Sequence, residues 1–133
     1  MRKWVKLTIW LSTSLAGFLV AAFLALYIFF TSLPDMCGNQ VFKEIYSPGN
    51  KYKAVVFQRD CGATTGFSTQ VSVINSNEIL ENEGGNAYIA DNHPNETKLQ
   101  LTWLSERSLE ISNSDPEALT RNNDVKGVSV TYK

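Results

Sequence analysis

An uncharged apolar run near the start of the sequence constrains the fold more than any other feature. Residues 7–33 contain no charged side chain, and the three charges before them, Arg2, Lys3 and Lys6, are all basic. As an α-helix this run would be about 40 Å long, which exceeds the roughly 30 Å hydrocarbon core of a bilayer. The apolar region of a cleaved signal peptide is usually only about 7 to 15 residues long. We therefore predict an uncleaved transmembrane helix over residues 7–33.

The charges on either side of the run predict its orientation. Basic residues stay on the cytoplasmic side of a membrane, so residues 1–6 are expected to be a cytoplasmic tail. Residues 34–133 would then form a periplasmic or extracellular domain. From residue 35 onward the sequence has 9 basic and 13 acidic residues, a formal charge of −4. That balance leaves no basic surface of the kind that nucleic-acid binding requires.

Small side chains recur every four residues within the run, at Thr13, Gly17, Ala21 and Ala25. This spacing places them on one helix face, where a second helix could approach closely. A homodimer or a larger membrane complex is one interpretation. The other is that the spacing arises by chance, because glycine and alanine are common in membrane spans.

The only two cysteines, Cys37 and Cys61, both follow the apolar run. An even cysteine count outside the cytoplasm favours a disulfide, and a loop of this length would stabilise the fold by roughly 3 kcal/mol. Metal ligands and a redox pair are the alternatives. The sequence has one histidine, His93, and no C-x-x-C motif, so no metal site is predicted and the structural disulfide is favoured.

Alternating apolar and polar residues after the run predict a β-rich domain. We expect a small, mainly antiparallel all-β domain, or a β-rich α+β domain, built as a sandwich or rolled sheet. A helix of one or two turns is expected after Ser114, because Asp115, Pro116 and Glu117 resemble a helix start. The predicted strands are residues 40–46, 51–59, 69–73, 87–90, 99–103, 108–111 and 128–132.

One segment resembles small bacterial membrane-anchored proteins that form an uncharacterised family. It runs YKAVVFQRDCGATTGFSTQVS over residues 52–72, preceded by Cys37-Gly38-Asn39 and Ser47-Pro48. The resemblance covers most of residues 37–75 and, more loosely, the hairpin around Trp103. It implies a bacterial protein and supports the disulfide. It supplies no activity, because that family has no established function.

The segment 59–68 carries the most distinctive local chemistry. Its glycines allow backbone amides to face a partner, its arginine adds charge, and its hydroxyls add hydrogen-bonding groups. We predict a partner-binding loop here. The alternative is a disulfide-pinned turn whose hydroxyls bond to their own backbone. The candidate residues are Arg59, Gly62, Thr64, Thr65, Gly66, Phe67 and Ser68.

No catalytic motif is present, so we expect neither enzyme activity nor a cofactor. The sequence lacks a nucleophile elbow, an H-E-x-x-H motif and a phosphate loop, and His93 is expected in a solvated loop. The predicted function is a membrane-anchored extracytoplasmic binding or accessory domain for a protein or envelope component. The alternative is a structural subunit of a membrane complex, associating through its transmembrane helix.

The predicted topology can be tested with a reporter fused after Lys133. A reporter that is active only in the periplasm should be active there, because Arg2, Lys3 and Lys6 hold the other end of the span inside. Activity only from a cytoplasm-specific reporter would contradict the orientation.

Overall fold

The computed structural model describes residues 2–33, 36–62 and 65–133 of the chain. The chain divides into two compact units, Met1–Asp35 and Met36–Lys133. The first unit contains a single helix, α1 (Arg2–Thr31), and the second is a β domain. The predicted fold class, an N-terminal helix followed by a mainly antiparallel β domain, is therefore confirmed.

Helix α1 is long and apolar enough to cross a membrane, since an 18-residue stretch of it has a mean hydropathy of 2.2. Membrane anchors and signal sequences share these properties. The helix starts earlier than predicted, at Arg2, because no residue before position 7 breaks a helix, so the expected tail over residues 1–6 is helical from Arg2. Its hydroxyls bond back to helix carbonyls, as Thr8 Oγ1 does to Val5 O at 2.9 Å and Thr31 Oγ1 to Tyr27 O at 3.0 Å. An apolar environment requires such internal satisfaction.

Residues 36–62 and 65–133 of the β domain form nine strands in two sheets. In chain order they are β1 (Gly38–Tyr46), β2 (Tyr52–Asp60), β3 (Phe67–Asn75), β4 (Tyr88–Ala90), β5 (Gln100–Ser105), β6 (Ser108–Ser112), β7 (Thr120–Arg121), β8 (Asp124–Val125) and β9 (Val128–Tyr132). One sheet has the order β1-β2-β3-β4-β7 and the other β5-β6-β9-β8. Among these described strands, only β6 and β9 pair in parallel. All seven predicted strands are present, and β7 and β8 are additional.

The predicted helix after Ser114 is wrong. A single turn forms at Asp115, whose backbone N–H donates to the Tyr88 hydroxyl at 3.0 Å. The chain then becomes β7, where Arg121 pairs with Tyr88 of β4. The Tyr132 hydroxyl lies 2.9 Å from the Asn122 carbonyl and holds the far end of the segment. These contacts with the buried Tyr88 and the partly buried Tyr132 outweigh the local helix signal.

The two sheets pack face to face around one apolar core. Val71 and Val73 of β3 belong to the same buried cluster as Leu109 and Ile111 of β6 and Val130 of β9. We call this side of the five-stranded sheet its inner face. The domain is therefore a β-sandwich, as the alternation predicted.

The five-stranded sheet also buries its outer face, which points away from the second sheet. Val55 and Phe57 of β2 and Ile74 of β3 form a second buried cluster there, with Leu80 packed against it. Leu80 belongs to the irregular segment between β3 and β4. We call residues 76–86 of this segment the strap, because they cross the outer face and cover it.

Cys37 and Cys61 are disulfide-bonded, as predicted. They flank the end of the β1–β2 hairpin where Gly38 pairs with Asp60. The bridge therefore closes the hairpin at the end opposite its turn, where strand pairs fray most easily.

Glu106 joins the two sheets at the other end of this hairpin. Its Oε1 accepts hydrogen bonds from Ser47 Oγ at 2.6 Å and from the Lys51 N–H at 3.0 Å. Its Oε2 accepts from the Gly49 N–H. The hydrogen bond from Ser47, followed by those from the two amides, holds the pKa of Glu106 below its ordinary value. A carboxylate of the β5–β6 turn thus orders the β1–β2 turn.

Glu106→Gln should lower the free energy of unfolding at neutral pH, since an amide cannot accept these bonds as well. Because the folded pKa of Glu106 is lowered from 4.5, its contribution is complete above that pH and is lost as the pH falls below it. The stability difference between wild type and variant should therefore shrink in acid, as measured by denaturant unfolding. Glu117→Gln is the control, and equal stability of all three proteins at neutral pH would contradict this role.

Candidate functional site

The predicted binding loop is shorter than the sequence suggested, because β2 and β3 extend to Asp60 and Phe67. Of the candidate residues, Thr64 lies outside the described part of the chain. Gly62 and Gly66 have φ of 104° and 68°, so this turn needs glycine. Thr65 Oγ1 donates to the Gly62 carbonyl at 3.2 Å. The described polar groups of the turn thus bond largely to their own backbone.

The strand pairing places Arg59 and Ser68 of the predicted loop on one face of the sheet and Phe67 on the other. Arg59 lies on the outer face, where its Nη1 donates to Asn39 Oδ1 at 2.8 Å and to Asn82 Oδ1 at 3.3 Å. Ser68, its register partner, donates its hydroxyl proton to the Arg59 carbonyl at 3.3 Å. Phe67 lies one residue away and so on the inner face. The predicted residues therefore do not form one continuous surface.

Phe67 belongs instead to an aromatic cluster with His93 and Phe42. The His93 ring lies 5.7 Å from the Phe67 ring and 6.0 Å from the Phe42 ring, edge-on to both. Phe42 occupies a β-bulge, where the β1–β2 register shifts between Val41 and Lys43. His93 Nδ1 accepts a hydrogen bond from the Asn95 N–H at 3.1 Å. His93 is therefore packed between two aromatic rings. The sequence had instead predicted a solvated histidine.

Arg59 contacts the strap through Asn82. Asparagine side chains hold the strap on the outer face. Asn39 Nδ2 donates to the carbonyls of Glu81 at 3.1 Å and Glu83 at 2.8 Å. Asn82 Nδ2 donates to the Cys37 carbonyl at 2.7 Å. The strap is thereby bonded to β1 and to the backbone of the disulfide.

The C-terminal end of the strap is bonded equally closely to β3. Asn86 acts as a β-strand mimic, since its side chain accepts from the Val73 N–H at 2.8 Å and donates to the Val73 carbonyl at 2.9 Å. The Gly85 N–H donates to Gln70 Oε1 at 2.6 Å. A Cβ at Gly85 would lie 2.8 Å from the Tyr88 carbonyl oxygen, so this close approach requires glycine.

A pocket of about 660 Å³ remains between the strap and the sheet. Its volume lies within the range of about 300–1,000 Å³ that is usual for small-molecule sites. Its lining includes apolar, acidic and uncharged polar side chains. It is lined by Ser72, Ile74, Asn77, Glu78, Ile79, Leu80, Glu81, Glu83, Gly84, Asn86 and Lys126.

The pocket is acidic. Glu78 Oε2 lies 3.0 Å from Lys126 Nζ, and the hydrogen bonds from Lys126 and then Asn75 lower the pKa of Glu78. Lys126 is in the turn between β8 and β9, so this pair also ties the second sheet to the strap. Within residues 36–62 and 65–133, the carboxylates of Glu81 and Glu83 make no hydrogen bond or ion pair. No group of three or more His, Cys, Asp or Glu side chains in the described residues is arranged to hold a metal ion.

The sequence analysis treated the strap only as a polar loop and did not identify this pocket. One signal was available, since Val55 and Phe57 alternate with the core residues Ala54 and Val56. Both faces of β2 therefore had to be covered. The sequence did not indicate that the strap would provide the second cover.

The predicted helix-packing face is exposed along α1. The side chains of Thr13, Ala21 and Ala25 are exposed, and a Cβ added at Gly17 would have no heavy atom within 4 Å. Thr13 Oγ1 bonds to the Ile9 carbonyl at 3.0 Å, so the hydroxyl is satisfied within the helix. The stripe therefore presents small, internally satisfied residues, and its packing role stays a prediction.

The family model of DUF5412, a family of unknown function, matches residues 3–126. This confirms the predicted resemblance to an uncharacterised family. No curated protein and no solved structure matches the chain.

Asn39→Ala should loosen the strap without unfolding the sandwich. The variant loses two hydrogen bonds to strap carbonyls, each worth about 1 kcal/mol. Amide hydrogen exchange at Glu83 and Gly85 should therefore accelerate about tenfold or more, while exchange in β2 and β3 stays slow. Asn95→Ala, in an exposed loop, is the matched control. Unchanged exchange in the strap would show that Asn39 does not hold it.

Proposed function

The chain belongs to the DUF5412 family, and we propose that it is a membrane-anchored binding protein rather than an enzyme. In this proposal α1 stays in the membrane and the β-sandwich lies on the periplasmic or extracellular side of a bacterial envelope. The pocket beneath the strap receives a ligand or a side chain of a partner. The pocket is the single observation that carries the binding role.

The length of the apolar stretch supports an anchor over a cleaved signal, because residues 7–33 are more than a signal peptide needs. The basic residues support a cytoplasmic N-terminus. The Cys37–Cys61 disulfide supports an oxidising compartment for the domain.

The hydrogen bonds that hold the strap support a pre-ordered binding site rather than a chance depression of the surface. Hydrogen bonds from Asn39 and Asn86 fix the strap at residues 81, 83 and 86, while Ile79 is 86% exposed. A ligand would therefore meet a pre-ordered wall, which lowers the entropy cost of binding.

The residues around the pocket support a binding site rather than a catalytic site. Ser72 is the hydroxyl in the lining, and its Oγ accepts a hydrogen bond from the Asn86 N–H at 3.3 Å. The one histidine, His93, contacts Phe67 on the opposite face of the sheet. A general base for Ser72 would have to lie beside it, and His93 does not.

A photo-crosslinking amino acid at Ile79 tests the proposal in the full chain, in native membranes. Leu104 in β5 is the matched control, because it is also an exposed aliphatic residue, at 59%, and lies on the other sheet. A crosslinked adduct of defined mass is expected from position 79 and not from position 104. Adducts from both positions, or from neither, would contradict a binding site at the strap.

A second variant separates this proposal from a structural subunit that associates through α1. The exposed small-residue face of Thr13, Gly17, Ala21 and Ala25 favours that alternative. Replacing residues 7–33 with an unrelated membrane span should leave the position 79 adduct unchanged. Loss of the adduct in a chain that still reaches the membrane would assign the function to the helix.

A further inference from the structure

The pocket already contains one ammonium–carboxylate contact, which the chain makes with itself. Lys126 Nζ lies 3.0 Å from Glu78 Oε2 at the rim. Lys126 adopts a left-handed φ of 54° and the next residue, Gly127, has φ of 77°. This tight turn aims the lysine stem towards the strap, so an alkylammonium group fits the rim.

Two further carboxylates remain at the same rim. Glu81 and Glu83 line the pocket, and no described side chain bonds to either carboxylate. Their backbone carbonyls accept from Asn39, which fixes the strap at both positions. Glu78, Glu81, Glu83 and Lys126 together give the pocket lining a formal charge of −2. This charge repels anions and favours a cation.

Three lining residues, Ile74, Ile79 and Leu80, are large and apolar. Ile74 and Leu80 form the floor as part of the buried outer cluster, and Ile79 stands exposed beside them. A metal ion would gain nothing from these side chains, whereas a hydrocarbon stem would be removed from water against them. The combination of acidic rim and apolar floor therefore suits a cation carried on an alkyl chain.

We propose that the pocket binds a primary alkylammonium group, with its charge at Glu81 and Glu83 and its stem on Ile74 and Leu80. The group is supplied either by a lysine side chain of a partner polypeptide or by a free polyamine. This inference rests on the proposed binding function and names its ligand class. Lys126 competes for the same rim because it occupies Glu78.

The proposal is tested by titrating the full chain, in nanodiscs of zwitterionic lipid, with two amine probes. Spermidine represents a free polyamine, and the blocked peptide acetyl-Lys-Leu-Lys-amide represents a polypeptide. Acetyl-Gln-Leu-Gln-amide is the uncharged control. Backbone amide shifts in the strap report binding at the site. The two amines should shift strap resonances, and the uncharged peptide should not.

Matched variants separate a specific site from the general acidity of the domain. The double variant E81Q/E83Q should weaken amine binding about fivefold or more, as the loss of two exposed ion pairs predicts. E96Q/E117Q removes the same charge outside the pocket and should bind like wild type. K126Q should bind more tightly, because Glu78 is released. Melting temperatures are measured for all variants to confirm folding.

The outcomes are distinct. Binding of spermidine alone or of the lysine peptide alone supports the proposal and identifies the source of the ammonium. Equal weakening in the two double variants, or binding of the uncharged peptide as well, overturns it. If neither amine binds while the position 79 adduct still forms, the ligand class is wrong and the binding function stands. If the adduct also fails, both are wrong.

Discussion

The apolar side chains on both faces of β2 are the constraint on which the rest of the domain depends. Residues 52–58 of this strand are all buried, including Lys53 and Gln58. Side chains alternate between the two faces of a sheet, so each face needs its own cover. The second sheet covers Ala54 and Val56, and the strap covers Val55 and Phe57. Each large apolar side chain left uncovered would cost about 1.5–3 kcal/mol.

The strap covers the outer face by two kinds of interaction, apolar packing and hydrogen bonds. One apolar residue of the strap, Leu80, packs on the sheet, while the side chains of Asn39, Asn82 and Asn86 hold the strap by hydrogen bonds to backbone groups. Because the strap packs only this one apolar side chain there, a pocket remains between it and the sheet. The candidate site is therefore a consequence of covering the outer face with an irregular segment rather than with a strand or helix.

The alternation of apolar residues predicted the sandwich, since β5, β6 and β9 have the period of a half-buried sheet. The N-terminal apolar helix and the disulfide were also predictable, from an uncharged run and a cysteine pair outside it. The pocket was not, because it depends on long-range bonds from Asn39 to residues 81 and 83 that no local pattern encodes. The helix expected after Ser114 failed for the same reason: its capping signal is local, whereas Tyr88 and Tyr132 act from distant strands.

Whether the strap covers the outer face is tested most directly by a methyl–methyl nuclear Overhauser experiment. The sample is the full chain in micelles, with labelled Leu, Val and Ile. If the strap covers the outer face, the methyl groups of Leu80 show cross-peaks to the outer cluster of Val55 and Ile74. They show none to Leu109 or Ile111 of the inner core. Absence of the outer cross-peaks, in a protein whose inner-core cross-peaks are intact, would contradict the claim that the strap closes this face and forms the pocket.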